Sequence, residues 1–560
     1  MMCFKTSLRR LVLGAVMLAA VASSFGSPLA ASLAPIKRPN IVLIVADDLG
    51  FTDVGAFGGE IRTPNIDRLA SEGLRLVNFH ATPLCQTTRA ALLSGTDHHI
   101  AGVGAMYLND KVRGKTGYEG HLHARVHTLP ELMRAAGYRT YMTGKWHLGS
   151  EADQGPRSRG FDESFVLLDG SGSHLDKTGS SKRTAEARYR DGLDEIRALP
   201  QDFYSTRYFT ETMIGYIRAG QDTGRPFFAY LALTAPHWPL QVPDEYLESY
   251  RGVYDEGYDV LRGRRVRAAV GKGVLPATAL EATTGAPIVS ERWTDLTDPE
   301  RRESARRMEV YAAMVEYMDA EVGRLINYLE ASRQLQNTVI IFISDNGAEG
   351  YQREVHANQA AYVAEMDNSL GNIGRRGSFV SYGPGWAGAG SAIFRLHKGF
   401  LTEGGNRVAA IIWDGRARRH RGTSGQFLTV SDIMPTSLDL AGALPMFGRL
   451  RDGSVLPLSG SSFLPLLSNS AAIVRPAGAM TVFELHGHRA VYQDRWKLLW
   501  LSAEQSGSFP GYQPENRWAL FDLDRDPGES EDLASREPQQ VARMTEAWDQ
   551  FVGITGLVVQ

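Results

Sequence analysis

Cysteine is nearly absent: the 560-residue chain has two, Cys3 and Cys85. A disulfide framework is therefore excluded as the source of stability. Excess charge of one sign is also missing, with 60 basic against 63 acidic residues and a net charge of −3. No overall positive field exists to attract nucleic acid or an anionic membrane, so any bound anion must be captured by a local site. There is no internal repeat and no low-complexity tract, which argues against a solenoid. The apolar run Leu11 to Ala22 is too short for an ordinary spanning helix, and no later segment reads as a span. What remains is ordinary globular composition, 43% hydrophobic and 22% charged, with enough apolar surface for a sizeable core.

At the N-terminus Lys5, Arg9 and Arg10 precede that apolar run, and the small-residue stretch SSFGSPLAASLA follows it. This is the order of a secretory signal peptide, here residues 1–34, with cleavage after Ala30 or Ala34. The expected location is periplasmic or secreted, with no stable membrane insertion after cleavage. The mature chain then carries one cysteine, Cys85, in an oxidising space. Either it is an inert buried residue or its thiol is used or chemically altered.

Ile41 to Ala46 is continuously apolar, as expected of a strand buried on both faces in a mostly parallel sheet, and it ends at Asp47-Asp48. Pro226 to Leu233, Asn337 to Ser344 and Arg407 to Trp413 read as further strands. Arg139 to Met142 reads as a short one, followed by a turn at Thr143-Gly144. Helices are predicted after Thr63, over Leu129 to Ala136, over Ser304 to Tyr328 and over Ser431 to Leu440. The fold class is α/β: a large, mostly parallel central sheet flanked by helices over 35–474, then a smaller antiparallel sheet and a terminal helix over 475–560. Ser150 to Pro200 and Asp244 to Asp295 lack a sustained period and read as surface excursions.

Asp47-Asp48 and Asp345-Asn346 each follow a predicted strand, at the edge where open α/β sheets place ligands. Three carboxylates and an amide oxygen make a hard oxygen site for a divalent cation; calcium suits the longer bonds, with magnesium as the alternative. Cys85 opens a predicted helix with Arg89 one turn onward, so an anion there could meet both the guanidinium and the helix N-terminus.

The segments VADDLG (45–50), CQTTRAALLSGTDHHIAGVG (85–104), GYRTYMTGKWHLG (137–149), APHWPLQ (235–241), SDNGAEG (344–350) and RLHKGFLTEGG (395–405) together resemble the type I sulfatases, the arylsulfatase branch of the alkaline phosphatase superfamily. The resemblance implies that a maturation enzyme converts Cys85 to Cα-formylglycine, whose hydrated gem-diol is the nucleophile. It implies a metal held by Asp47, Asp48, Asp345, Asn346 and an oxygen of modified Cys85. Arg89 and Lys145 would neutralise the formylglycine oxygens, and His147 would hydrogen-bond the gem-diol. His237 and Lys398 would meet the substrate sulfate, with His237 protonating the leaving oxygen. Thr87 stands where the maturation motif has Pro or Ala, so conversion is expected to be inefficient, with Cys85 wholly or partly unmodified in a recombinant sample. The implied activity is hydrolysis of small sulfate monoesters, aryl sulfates in the first place. A phosphonate or phosphate mono- or diester hydrolase is the alternative enzyme, and a non-catalytic sulfated-ligand binding protein is the alternative outside catalysis. Tyr107, Trp238 and Phe400 are expected to form an aromatic entrance, with His397 beside it, while His98 and His99 are expected to be structural or rim residues.

Overall fold

Unbroken aliphatic sequence makes a strand that can be buried on both faces, and Asn40–Ala46 (β1) is buried along its whole length. The computed structural model describes residues 38–559 except 107, 283–289, 356, 418–420, 458, 504–513 and 515. The expected signal peptide and Tyr107 lie outside the described residues. β1 pairs in parallel with Phe227–Ala232 (β3) and Thr338–Ser344 (β4), and β3 pairs in parallel with Arg139–Lys145 (β2). Glu163–Leu167 adds a further parallel strand beside β2. The sheet has ten strands in all. It is parallel at its centre, and antiparallel pairs follow on each side, where Ala410–Asp414 lies against β4 and Tyr189–Asp191 against Glu163–Leu167; the outermost pair at one edge, Gly422–Ser424 on Leu74–Leu76, is parallel again.

Alternate side chains of β1 enter opposite layers. Val42 and Ile44 pack into a core with the long helix Asp298–Ala331 (α2), while Ile41, Leu43 and Val45 pack against the helix Cys85–Ser94 (α1). The apolar positions of α2 recur at three and four residues, and Met308, Ala312, Val315, Met318, Val322 and Leu325 are all fully buried, as an amphipathic helix facing a core requires. Leu129–Ala135 begins with a capping box between Thr128 and Glu131, which satisfies two otherwise orphaned backbone donors.

The small C-terminal sheet is antiparallel, with its strands Met480–Leu485, His488–Gln493, Trp496–Trp500 and Trp518–Asp522 in sequential order. One face packs on Leu396, Phe400 and Leu401; the other packs on Met544 and Trp548 of the helix Pro538–Thr555. No helix among the described residues is long and apolar enough to cross a membrane.

Several local expectations are corrected. Thr143-Gly144 is not a turn: β2 runs through it to Lys145. Gly144 has φ 109°, and a Cβ there would lie 1.8 Å from the Ala232 carbonyl oxygen, so the glycine serves close strand approach. Arg407 to Trp413 is not one strand; Arg407–Val408 joins a separate three-stranded sheet, and Ala410–Asp414 joins the main one. The 150–200 and 244–295 segments are not merely surface excursions. They supply the buried strand Glu163–Leu167 and the helix Tyr258–Gly271, whose Arg265 is buried against Asp53 and Glu60.

Candidate active site

Because β1 to β4 run parallel, their C-terminal ends share one edge, and the residues that follow them meet there. Asp47 and Asp48 follow β1, Lys145 ends β2, His237 lies just beyond β3, and Asp345 and Asn346 follow β4. Ala46 is in register with Ser344, and the Asp345 amide donates to the Ala46 carbonyl at 3.0 Å, which sets Asp47-Asp48 and Asp345-Asn346 side by side. Asp48 has φ 67°, a conformation aspartate tolerates better than most residues. Its amide donates to Asp345 Oδ1 at 3.2 Å.

α1 brings in the other components. Cys85 is its first residue, and its Sγ lies 3.2 Å from Asp47 Oδ1 and 3.7 Å from Asp48 Oδ1. Arg89, one turn on, donates to Asp345 Oδ2 through Nε at 3.1 Å and Nη2 at 2.7 Å, and to the Lys145 carbonyl at 2.8 Å. Lys145 Nζ donates to Asp47 Oδ2 at 2.6 Å. Lys398 Nζ donates to Asp48 at 2.8 Å, and His237 Nε2 lies 3.4 Å from Asp48 Oδ2. All these side chains are buried. His147 is half-buried, with φ 57°. Its Nδ1 has no hydrogen-bond partner among the described residues.

The electrostatics follow from packing three carboxylates among three cations away from water. Burial and the neighbouring Asp345 push the Asp47 carboxyl up to about 7, against the opposing charges of Lys145 and Arg89. Burial acts the same way on Asp48, but Lys398, His237 and Lys145 overcome it and hold that carboxyl well below the usual range. Burial, then Asp345 and Asp47, push the Cys85 thiol up; a catalytic thiolate would need the reverse. Burial and the charges of Lys145, Arg89 and Lys398 push His147 down. Burial also lowers His237, with Asp48 pulling the other way.

The donor set fits a divalent cation. Ligand atoms of Asp47, Asp48, Cys85 and His237 lie within 4.8 Å of one another. Asn346 Oδ1 is buried with no hydrogen-bond partner among the described residues, while its Nδ2 donates to Asp48 Oδ1 at 2.7 Å. An orphaned amide oxygen beside clustered carboxylates is a site for a hard metal.

A family model for sulfatases matches residues 39–443. The chain belongs to the sulfatase family. An uncharacterized sulfatase of Schizosaccharomyces pombe is 42% identical over 93% of this chain and 95% of its own length. An arylsulfatase of Klebsiella aerogenes is 36% identical over 76% of this chain and 91% of its own length. Among solved structures, that of Ps i-CgsB in complex with k-i-k-neocarrahexaose covers 92% of this chain and 93% of that one, with a TM-score of 0.64 at 22% identity.

In this sulfatase the sequence-derived residues Asp47, Asp48, Cys85, Arg89, Lys145, His237, Asp345, Asn346 and Lys398 form one connected cluster. The aromatic entrance is corrected. Phe400 is fully buried beneath the small sheet, and Trp238 is buried against Phe379. His397 is likewise buried, with its Nδ1 3.1 Å from the Lys398 carbonyl. His98 and His99 stand apart from the cluster and hold the small sheet: His98 contacts the Glu484 carbonyl, and His99 lies between Asp97 and the Glu484 carboxylate.

Sequence reasoning assigned no role to Glu349. It is buried, with Oε2 3.0 Å from Arg353 Nη1, 3.4 Å from Lys398 Nζ and 3.9 Å from His237 Nε2. Its place inside SDNGAEG was the only signal.

Proposed function

We propose that this sulfatase hydrolyses small sulfate monoesters, aryl sulfates foremost, with residue 85 acting as formylglycine. The overall change is ester plus water to alcohol or phenol plus sulfate. The observation that carries the reading is the position of Cys85. Its side chain ends between the Asp47 and Asp48 carboxylates, at a helix N-terminus, with Arg89 and Lys145 bonded into the same cluster. When bound, a divalent cation, calcium in this reading, supplies positive charge to the nucleophile and to the sulfate oxygens. Asp47, Asp48, Asp345 and Asn346 would hold it with the modified residue. The hydrated aldehyde supplies two geminal oxygens, one to attack sulfur and one to release the enzyme by elimination.

The protein's own groups set the remaining geometry. Arg89, tied to Asp345 and to the Lys145 carbonyl, cannot swing away, so its charge is fixed beside residue 85 without reorganisation during reaction. His147 offers a ring nitrogen not used by any other described residue and is assigned to the nucleophile's hydroxyl. His237 Nδ1 lies 2.5 Å from the Trp238 carbonyl, an acceptor only, so Nδ1 carries hydrogen and Nε2 is left facing the site. To act as the acid the ring must carry a second hydrogen, as an imidazolium that the adjacent Asp48 carboxylate favours against burial; that Nε2 hydrogen would pass to the departing alcohol oxygen and leave the neutral Nδ1–H ring. Lys398 binds the sulfate as a fixed charge. Export through residues 1–34, and maturation of Cys85 by a formylglycine-generating enzyme, belong to the same proposal.

The test compares p-nitrophenyl sulfate with p-nitrophenyl phosphate and a phosphonate monoester, using calcium-loaded protein of known formylglycine content. The sulfate ester is expected to have the highest kcat/KM. A larger value for either phosphorus ester would transfer the assignment to the alternative hydrolase.

A further inference from the structure

Lys398 has two carboxylate neighbours with unlike duties. Asp48 belongs to the cation site, so its oxygens are engaged there in the working enzyme. Glu349 is not among the residues assigned to the cation, although its carboxylate also lies against Asp48: its Oε2 accepts from Arg353 at 3.0 Å and faces Lys398 and His237, the two groups assigned to the scissile sulfate.

The support behind Glu349 is rigid. The Arg353 guanidinium lies over the Trp238 ring at 4.4 Å from its centroid, and the Trp238 carbonyl orients His237. The Lys398 amide donates to the Ala348 carbonyl at 3.0 Å. The His397 ring packs so closely on Gly350 that a Cβ there would fall 2.3 Å from it. Residues 348–350 and 397–398 are thereby locked together, with the Glu349 carboxylate at the centre.

We propose that Glu349 is a positioning residue that holds the Lys398 ammonium against the scissile sulfate, beside the His237 imidazole, while Asp48 serves the cation. The inference rests on the sulfate ester hydrolase reading. It assigns no proton transfer to Glu349 itself. Without this carboxylate Lys398 keeps its charge but loses the anchor that does not belong to the cation site. A displacement of about 1 Å in such a group costs on the order of 100-fold in rate.

The experiment uses calcium-loaded protein with metal and formylglycine content measured in each variant. Glu349→Ala is expected to lower kcat/KM for phenyl sulfate by about 100-fold, mainly through kcat. Glu349→Gln, which keeps a hydrogen-bond acceptor and the shape, is expected to recover about 10-fold of that loss. Because Glu349 acts partly through Lys398, the Lys398→Ala/Glu349→Ala double variant should fall well short of the product of the two single losses. Fully multiplicative losses would overturn the proposal, and so would a Glu349→Ala enzyme with wild-type kcat. A loss traced wholly to reduced metal or formylglycine content would also overturn it, by showing a structural role only. A calcium-loaded, formylglycine-bearing wild type that turns over no sulfate ester would instead overturn the reading beneath it. The Glu349→Gln variant keeps the test usable if Glu349→Ala does not fold.

Discussion

Replacing Asp345 by asparagine separates the structural use of this carboxylate from its proposed use as a metal ligand. Asp345 Oδ2 accepts two bonds from Arg89, and Oδ1 accepts one from the Asp48 amide. An asparagine can offer its oxygen to only one of these sides, so its NH₂ must face a donor. One buried donor left unsatisfied costs about 1–3 kcal/mol. Part of that is offset, because Asp345 raises the Asp47 carboxyl and its removal relieves this repulsion. The metal-free variant should therefore be only modestly less stable. Its response to calcium should differ far more. Outer-shell changes alone weaken metal binding by about 10–100-fold, so loss of a charged ligand should cost at least about 100-fold. At a calcium concentration about 100 times the wild-type Kd, binding adds about 2.7 kcal/mol of stability to the wild type; a 100-fold weaker variant gains about 0.4 kcal/mol. Thermal unfolding with and without calcium, alongside metal analysis, reads this directly. A variant that keeps the full calcium-dependent rise in Tm would refute the assignment of Asp345 as a ligand.

Cys85→Ala should abolish multiple turnover, since the proposed nucleophile is lost, while far-UV circular dichroism stays unchanged; residual multiple turnover would count against covalent catalysis. His237→Ala should steepen the dependence of kcat/KM on leaving-group pKa across a phenyl sulfate series, whereas Lys398→Ala should lower every member similarly. Equal loss across the series for the His237 variant would remove its acid role. Burial alone would lower His99, but Asp97 and the Glu484 carboxylate raise it to about 10. A folded-state pKa above the ordinary 6.5 gives stability that is complete below about pH 6.5 and disappears as pH rises toward 10. Thermal melts should show Tm falling across that window, and His99→Gln should flatten the fall; an unchanged slope would exclude this contribution.

The strands β1, β3 and β4 were legible because each carries a continuous apolar run that stops at polar residues, whereas β2, RTYMTGK, was legible only in its first half. The doublets Asp47-Asp48 and Asp345-Asn346 mark two such stops, and parallel pairing necessarily brings them to one edge. Less was legible where tertiary contacts replace periodicity. Tyr258–Gly271 carries buried Arg262 and Arg265 on its inner side, and the latter's ion pairs with Asp53 and Glu60 break the apolar stripe by which helices are recognised. Glu163–Leu167 is short and follows a Gly- and Arg-rich stretch. Phe400 reads as an entrance residue only until the small sheet is folded over it. Glu349 is a single carboxylate in a glycine-flanked loop, and nothing local links it to Lys398, 49 positions away.

In the proposed mechanism the nucleophile derives from Cys85, and Thr87 in the maturation motif makes that origin measurable. Preparations with graded formylglycine content are obtained by expression with different levels of a maturation enzyme. The formylglycine fraction is quantified from the mass of the residue-85 peptide, and kcat toward p-nitrophenyl sulfate is measured on the same calcium-loaded samples. A straight line through the origin is expected. Full activity in a sample containing only unmodified Cys85, or activity that does not follow the modified fraction, would contradict it.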